Sequence, residues 1–265
     1  MTRRECLALA VTPHLAAQSR QEQGKQILRE CLDKLGGDRY LKMRDRVETG
    51  RVYSFYREQL AGLARATIYT RYVTAPESSS SNRVYLRERQ AFGKDEDYAV
   101  LFDEEKGWQI TFRGARPIPQ ATIDRFHEST RRNFLYILRQ RMHEKGLLFE
   151  SKGAEVFENQ PVDVVEITDT DNVPITVLIH KSTKLPVRQM FFRRDPATRE
   201  RNEEITYFSK FRDVGDGVQW PFAMSRLRNG EKIFEIFSDS VSINRDLADQ
   251  LFTLPANMKV LPPAR

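Results

Sequence analysis

Near the start of the chain, apolar residues recur at the spacing of one face of an α-helix. These residues are Ile27, Leu28, Cys31, Leu32 and Leu35. The pattern predicts a helix over residues 19–35, and Gly36-Gly37 follows as the C-terminal stop. Asp38 is then predicted to cap a short turn that runs to Met43.

From Val47 onwards the hydrophobic period changes from helical spacing to two, which predicts strands. The strands expected in this part of the chain are Val47–Arg57, Leu63–Val73, Asn82–Arg89, Tyr98–Phe102 and Trp108–Phe112. A loop of Pro and Ser separates the second strand from the third, and Gly107 marks a tight hairpin before the fifth.

A second helical pattern follows Pro117 and Pro119 and predicts a helix over residues 121–145, with Gly146 as its stop. Five arginines lie outside its apolar stripe: Arg125, Arg131, Arg132, Arg139 and Arg141. A basic amphipathic helix can lie on a membrane surface. The interpretation preferred here is a helix packed on a sheet, with its arginines on a solvated outer face.

Six more strands are predicted after this helix, joined by short turns. They are Val162–Thr168, Val173–His180, Leu185–Arg193, Glu203–Arg212, Val218–Leu227 and Lys232–Ile243. Asn229-Gly230 is the strongest hairpin signal among the connections. Consecutive strands on short turns predict an antiparallel meander, and no linker interrupts it. The expected fold is mainly β (α+β), with a curled sheet whose mouth is covered by the helices, in one domain over residues 19–265.

The N-terminal residues 1–18 have the order of a secretory signal: Arg3 and Arg4, a short apolar run, then small residues before Gln18. Glu5 and Pro13 interrupt the apolar run. The segment is therefore interpreted either as a degenerate signal peptide or as a disordered leader of a cytoplasmic protein.

The charge distribution argues against a nucleic-acid partner. The net charge is +6, but 37 acidic residues are interspersed among the 43 basic ones. A mixed, solvated surface is favoured over an electrostatic docking face.

The sequence contains no motif of a known active site. It has no nucleophile elbow, P-loop or dinucleotide fingerprint. His127 and His143 fall on nearly opposite sides of the predicted helix, so they do not share a metal. Cys31 lies on an apolar stripe, where a thiol behaves as a small hydrophobe. No catalytic residue, metal or cofactor is predicted, although an enzyme assembled from distant residues stays a third alternative.

The C-terminal residues show a recognisable pattern. Val241, Ile243 and Asn244, followed by Leu251-Phe252 and Pro255, resemble the "v-x-iN" and "lF-x-xP" signatures that end the LolA-like lipoprotein-sorting superfamily. Four earlier segments agree with this family: Leu35-Gly36-Gly37, Phe102 to Trp108, Val177–Val187, and Gly217 to Pro221. His180 stands where the family usually has Asp, and Glu104-Glu105 replaces its usual glycine.

The resemblance implies a half-barrel of about eleven antiparallel strands, with helices plugging an apolar cavity on the concave face. It implies a non-catalytic periplasmic carrier that binds lipid or lipoprotein acyl chains, expected to be a monomer. The alternative is an envelope sensing or regulatory module that engages a partner protein. A cytoplasmic location is expected instead if the leader is not a signal.

The alternation of residues along two strands predicts five residues that line the cavity. Ile175, Val177 and Ile179 share one face of their strand, and Met190 and Phe192 share one face of the next. Because apolar faces of neighbouring strands tend to coincide, all five are predicted to border the cavity.

Overall fold

A computed structural model describes residues 13–74, 83–195 and 198–263, with side chains from residue 19 onwards. The described residues form one antiparallel sheet of thirteen strands. The strands are β1 (Asp45–Tyr56), β2 (Gln59–Tyr72), β3 (Leu86–Phe92), β4 (Tyr98–Phe102), β5 (Gly107–Thr111), β6 (Gly114–Pro117), β7 (Leu148–Phe157), β8 (Gln160–Thr168), β9 (Pro174–His180), β10 (Pro186–Arg194), β11 (Arg201–Asp213), β12 (Gln219–Arg228) and β13 (Glu231–Ile243).

The helical elements are few and lie at the start and in the middle of the chain. They are α1 (Pro13–Leu35), α2 (Asp38–Leu41), α3 (Gln120–Arg131) and α4 (Phe134–Tyr136), which continues into a π-helical turn (Ile137–Arg141). A 3₁₀ turn (Asp249–Phe252) follows the last strand. Helix α1 begins before the predicted residue 19, and predicted leader residues 1–12 lie outside the described part of the chain.

The strand order is β6-β5-β4-β3-β2-β1-β13-β12-β11-β10-β9-β8-β7. Strand β1 joins the two halves by pairing with both β2 and β13, so that the first and last strands meet in the middle. The sheet does not close, and its two edge strands are β6 and β7. The prediction of a mainly β, curved open sheet with helices on one face is confirmed, with thirteen strands instead of eleven.

The two strands missing from the prediction have weak period-two patterns. Strand β6 contains Gly114 and Pro117, which indicate turns, yet it pairs with β5. Strand β7 pairs with β8 although most of its second half is exposed and Gly153 interrupts it at a bulge. Pairing with a neighbouring strand, and not an apolar pattern, makes these two segments β.

The predicted helix over residues 121–145 is wrong as one helix, because it breaks at Asn133. The Asn133 backbone is extended, and its side-chain oxygen accepts hydrogen bonds from the N–H groups of Leu135 and Tyr136. Gln189 of β10 reaches into the break, where it accepts from the Phe134 N–H at 2.7 Å and donates to the Arg132 carbonyl. An N-cap asparagine and a partner on the sheet therefore redirect the chain.

The predicted solvated face of that helix is also wrong for three of its arginines. Arg131, Arg132 and Arg141 are buried. Arg132 pairs with Glu128 and Asp169, and Arg141 pairs with Glu144. Buried guanidinium groups need such partners, which sequence spacing alone does not reveal.

Two cores lie on opposite faces of the sheet. The inner face of β7 to β13 packs against α1, α2 and α4, and its buried residues include Leu28, Cys31, Phe134 and Ile175. The outer face of β3 to β5 is covered by the segment after β13, where Phe252 is 1% exposed. Each half of the sheet thus buries a different face.

Candidate functional site

A cavity of about 430 Å³ lies between the inner face of the sheet and helix α3. Its sheet wall crosses the junction of the two halves, and the residues on that wall come from β12 (Trp220, Met224, Arg226), β13 (Phe234, Ile236), β1 (Arg46, Glu48, Val52), β2 (Ile68, Thr70, Tyr72), β3 (Leu86, Glu88, Gln90, Phe92) and β4 (Phe102). Its helical wall is made by Thr122, Arg125, Phe126, Ser129, Thr130, Asn133, Leu135 and Tyr136. Cavities of this volume hold small organic ligands.

Strand alternation places the sheet residues in the cavity. On β3 the lining residues are Leu86, Glu88, Gln90 and Phe92, each two positions after the last. The register of β2 with β3 sets Thr70 opposite Glu88 and Ile68 opposite Gln90. Side chains directly opposite each other in an antiparallel pair share a face, so both strands present the same wall.

Aromatic and aliphatic side chains make up the larger part of the lining. Phe126 of α3 stacks on Phe102 of β4, with ring centroids 3.9 Å apart and planes inclined by 3°. This contact seats the helix on the N-terminal half of the sheet. Val52 and Ile236, both lining residues, form a small buried cluster with Ala66.

Charged and polar side chains form a network at one end of the cavity, so the lining is amphipathic and not wholly apolar. Arg46 lies 3.6 Å from Glu48 and donates to the Thr70 hydroxyl at 3.0 Å. That hydroxyl donates to Glu88, whose other oxygen accepts from Gln90. The guanidinium of Arg46 also lies over the Trp220 ring, 4.0 Å from its centroid.

Three buried polar atoms here make no hydrogen bond to the described residues: Trp220 Nε1, and Arg46 Nε and Glu48 Oε2, which form the 3.6 Å ion pair with each other. Arg46, Glu48 and Trp220 are each less than one-tenth exposed. Buried polar atoms without a protein partner are usually satisfied by water or ligand. Arg46 and Glu48 balance each other's charge, so this part of the lining is polar and carries no net charge.

The tyrosines of the wall stay neutral. Burial raises the pKa of Tyr136 to about 12, and burial also raises the pKa of Tyr72. The Tyr136 hydroxyl accepts a hydrogen bond from the Tyr85 N–H at 2.8 Å. Both side chains serve as walls with a protonated hydroxyl at neutral pH.

Two arginines of the lining differ from Arg46 in having no ion pair. Arg226 on β12 and Arg125 on α3 have no carboxylate within 4.0 Å among the described residues. Arg226 is exposed on β12, so solvent screens it; partial loss of hydration lowers its pKa, against the opposing effect of Glu88 and Glu204. An arginine nevertheless stays charged at neutral pH.

The structure separates the five residues predicted to border a cavity. Ile175, Val177 and Ile179 are completely buried on the inner face, in the core beneath the helices. The register sets Phe191 opposite Ile175 and Gln189 opposite Val177. Met190 and Phe192 therefore lie on the outer face. None of the five is among the residues that line the 430 Å³ cavity. A role for them in ligand binding stays a prediction.

The residues that do line the cavity carried a signal in the sequence. Arg46 and Glu48, and likewise Glu88 and Gln90, are polar residues two apart at the ends of predicted strands, although Arg46 and Gln90 each lie one residue outside the predicted bounds. This spacing puts both members of a pair on one face. The pattern of alternation could not show that this face turns inward.

No metal or membrane-spanning feature is found among the described residues. No group of three or more His, Cys, Asp or Glu is placed to hold a metal ion. No helix in the described part of the chain is long and apolar enough to cross a membrane.

No protein-family model matches the sequence, and no curated protein matches it. Solved structures do resemble the fold. A protein described as an outer membrane lipoprotein-sorting domain from Vibrio parahaemolyticus superposes with a TM-score of 0.57 at 14% identity, covering 88% of this chain and 97% of its own.

Two further structures agree with this result. A DUF1329 family protein from Desulfovibrio piger gives a TM-score of 0.58 at 13% identity, covering 88% of this chain and 97% of its own. A LolA superfamily protein from Nitrosomonas europaea gives a TM-score of 0.53 at 12% identity, covering 87% of this chain and 97% of its own. At these identities the likeness concerns the fold, and the chain has the fold of the LolA-like lipoprotein-sorting proteins.

Proposed function

We propose that this protein is a non-catalytic carrier that binds an acyl chain of a lipid or lipoprotein in the cavity beneath α3. The observation that carries the proposal is the cavity itself, which has mostly apolar walls and lies between a curved sheet and a helix. The fold is shared with a protein described as a lipoprotein-sorting domain and with a LolA superfamily protein, which supports this cargo class.

The free energy of burying apolar surface favours binding of an acyl chain. Moving one methylene of an acyl chain from water into an apolar site stabilises the complex by about 0.8 kcal/mol. Aromatic walls such as Phe102 and Phe126 provide contact area without exposing backbone polar groups. A chain of several methylenes therefore gains enough to offset the cost of immobilisation.

A carrier of this class works in the cell envelope, and we place this protein in the periplasm. The motivation is the order of charged, apolar and small residues within residues 1–18. N-terminal sequencing of protein secreted from a bacterial host checks this location, since export with cleavage yields a chain starting near Ser19. Intact Met1 in the cytoplasmic fraction would contradict it.

Binding can be tested with a fluorescent fatty-acid probe and a charge placed in the cavity. Ile68 of β2 lines the cavity, whereas Leu63 on the same strand is 58% exposed on the other face. A carboxylate at Ile68 loses its water when the probe enters. We expect Ile68→Glu to weaken probe binding by about tenfold or more and Leu63→Glu to leave it unchanged.

Circular dichroism of each variant confirms that the sheet is retained. If Ile68→Glu does not fold, Ile68→Trp fills the cavity without adding a charge and is expected to weaken binding as well. Equal probe binding by the parent and by a folded Ile68 variant would show that the cavity is not the binding site. Transfer of bound probe to vesicles then tests the carrier role, because a sensing module retains its ligand.

A further inference from the structure

We infer that the ligand of this cavity is an anionic amphiphile, whose carboxylate or phosphate is bound by Arg226 and Arg125. The inference rests on the proposed function and names the chemistry of the ligand's head. It follows from the charges of the lining and from how the neighbouring carboxylates are used.

The lining carries an excess of positive charge. Its charged residues are three arginines and two glutamates: Arg46, Arg125, Arg226, Glu48 and Glu88. Arg46 is paired with Glu48, and Glu88 is bound by Thr70 and Gln90. One singly charged anion would neutralise the cavity.

Two further carboxylates in this region, Glu204 and Glu128, are already engaged by other arginines. Glu204 accepts from Arg228 at 3.0 Å and lies 3.7 Å from Arg193. Glu128 pairs with Arg132 and lies 3.3 Å from Arg193. These contacts leave Arg125 and Arg226 without an ion pair among the described residues, whereas Arg132, Arg193 and Arg228 each have one.

Arg226 lies where it can bind the head group of a ligand while apolar residues beside it contact the ligand's acyl chain. It lies on the inner face of β12, with Phe234 directly opposite it on β13 and Met224 two residues before it. Its guanidinium lies 5.6 Å from the Phe234 ring centroid. Asn229-Gly230, the turn that follows β12, brings this arginine close to the end of its hairpin.

Arg125 completes the arrangement from the other wall. It is exposed on α3, one residue before Phe126, whose ring stacks on Phe102. A guanidinium binds carboxylate or phosphate oxygens through paired N–H donors. Both arginines are exposed at the lining and have no ion pair among the described residues, so their N–H donors are open to an incoming anion.

The head-group preference can be measured with ligands that share one chain. The full-length protein is loaded with an uncharged fluorescent lipid probe, which is displaced by hexadecanoate, hexadecanol, hexadecylamine, lysophosphatidic acid or lysophosphatidylcholine. We expect the anionic competitors to displace the probe at concentrations about tenfold or more below that of hexadecanol. The order of hexadecanoate and lysophosphatidic acid identifies carboxylate or phosphate as the preferred head.

Variants then assign the preference to the two arginines. Arg226→Gln and Arg125→Gln are expected to bring the anionic competitors to within about threefold of hexadecanol, with hexadecanol itself unchanged. Arg201→Gln is the matched control, because Arg201 lies over the Phe192 ring, 3.7 Å from its centroid, on the outer face. Arg226→Lys keeps the charge if the Gln variant does not fold.

The inference is overturned by equal displacement by hexadecanoate and hexadecanol in the parent protein, or by an anionic preference that survives both Gln variants. Preference for hexadecylamine also overturns it and points to Glu48 and Glu88. Failure of the probe and every competitor to bind contradicts the proposed function instead, so the two failures are distinguishable.

Discussion

At the scale of single residues, the recognisable C-terminal signature has a physical basis. Asn244 has a left-handed backbone, with φ of 54°, and its side-chain oxygen accepts a hydrogen bond from the Arg44 N–H at 2.8 Å. Beside it, the buried carboxylate of Asp45 accepts from the N–H groups of Arg245 and Leu247. Asparagine tolerates this conformation better than most residues. The signature therefore fixes the exit of the chain from β13.

Substitution of Asn244 separates its two contributions. Asn244→Gly keeps the left-handed backbone and loses only the side-chain hydrogen bond, at a cost of about 1 kcal/mol. Asn244→Ala loses the bond and also adds about 1–2 kcal/mol of backbone strain. Urea unfolding should therefore rank the parent above the Gly variant and the Gly variant above the Ala variant. Equal stability of the two variants would show that the backbone conformation costs nothing here.

His180, which stands where the resembling sequence pattern usually has Asp, is a hydrogen-bond acceptor within its turn. Its Nδ1 accepts hydrogen bonds from the N–H groups of Ser182 and Thr183, at 3.2 and 3.1 Å. An aspartate in a turn accepts the same kind of bond. The histidine ring nitrogen therefore accepts the turn's hydrogen bonds at this position. The sequence alone showed only that the residue type differs from the resembling pattern.

At the scale of elements, period-two alternation predicted the strands wherever a strand has one buried face. It failed for β6 and β7, which form the two edges of the sheet: β6 has only four residues, and the second half of β7 is mostly exposed. It also failed at Asn133, where a polar cap and Gln189 break a helix that apolar spacing alone would continue. Edges and caps depend on tertiary partners, and local patterns do not contain them.

Helix α1 approaches β7 closely at Gly24. A Cβ atom at this position would lie 2.9 Å from the Phe149 carbonyl oxygen and from the Ser151 nitrogen. Real Cβ contacts with backbone atoms are not this short, so helix α1 would have to shift to accommodate a side chain at position 24. The glycine permits this distance despite its low helix propensity.

We expect Gly24→Ala to destabilise the protein, although alanine favours an isolated helix by about 1 kcal/mol over glycine. The steric clash with β7 should outweigh the gain in helix propensity and lower the midpoint temperature of thermal unfolding. Gln23→Ala, one position earlier on an exposed part of α1, is the control and should not lower it. A raised midpoint for Gly24→Ala would mean that α1 is free to move away from β7.

At the scale of the whole molecule, the register of the sheet decides which residues meet. The pairing of β9 with β10 is irregular between Pro186 and Arg188, and beyond this point Phe191 faces inward while Met190 and Phe192 face outward. Apolar residues occupy three consecutive positions here, so alternation cannot select a face. The fold could be predicted from the order of strands and turns, but the cavity depends on register, on strand twist and on the placement of α3.

The two cores on opposite faces of the sheet raise the question of whether they unfold together. The chain has two tryptophans, and each reports one core. Trp220 is buried in the inner core, and Trp108 packs against the outer core around Phe252. Strand β1 couples the two halves through continuous pairing with β2 and β13. We expect this pairing to make residues 19–265 one cooperative unit.

Single-tryptophan variants test that expectation. Trp108→Phe leaves Trp220 as the fluorescent reporter, and Trp220→Phe leaves Trp108. If unfolding is cooperative, fluorescence and circular dichroism recorded on the same variant give the same midpoint, because both follow one all-or-none transition. Comparison within each variant cancels any stability lost through the substitution itself. A fluorescence midpoint separated from the circular dichroism midpoint in either variant would show that the outer core and its C-terminal cover unfold apart from the inner core. The sheet would then contain two units joined at β1 and not one domain.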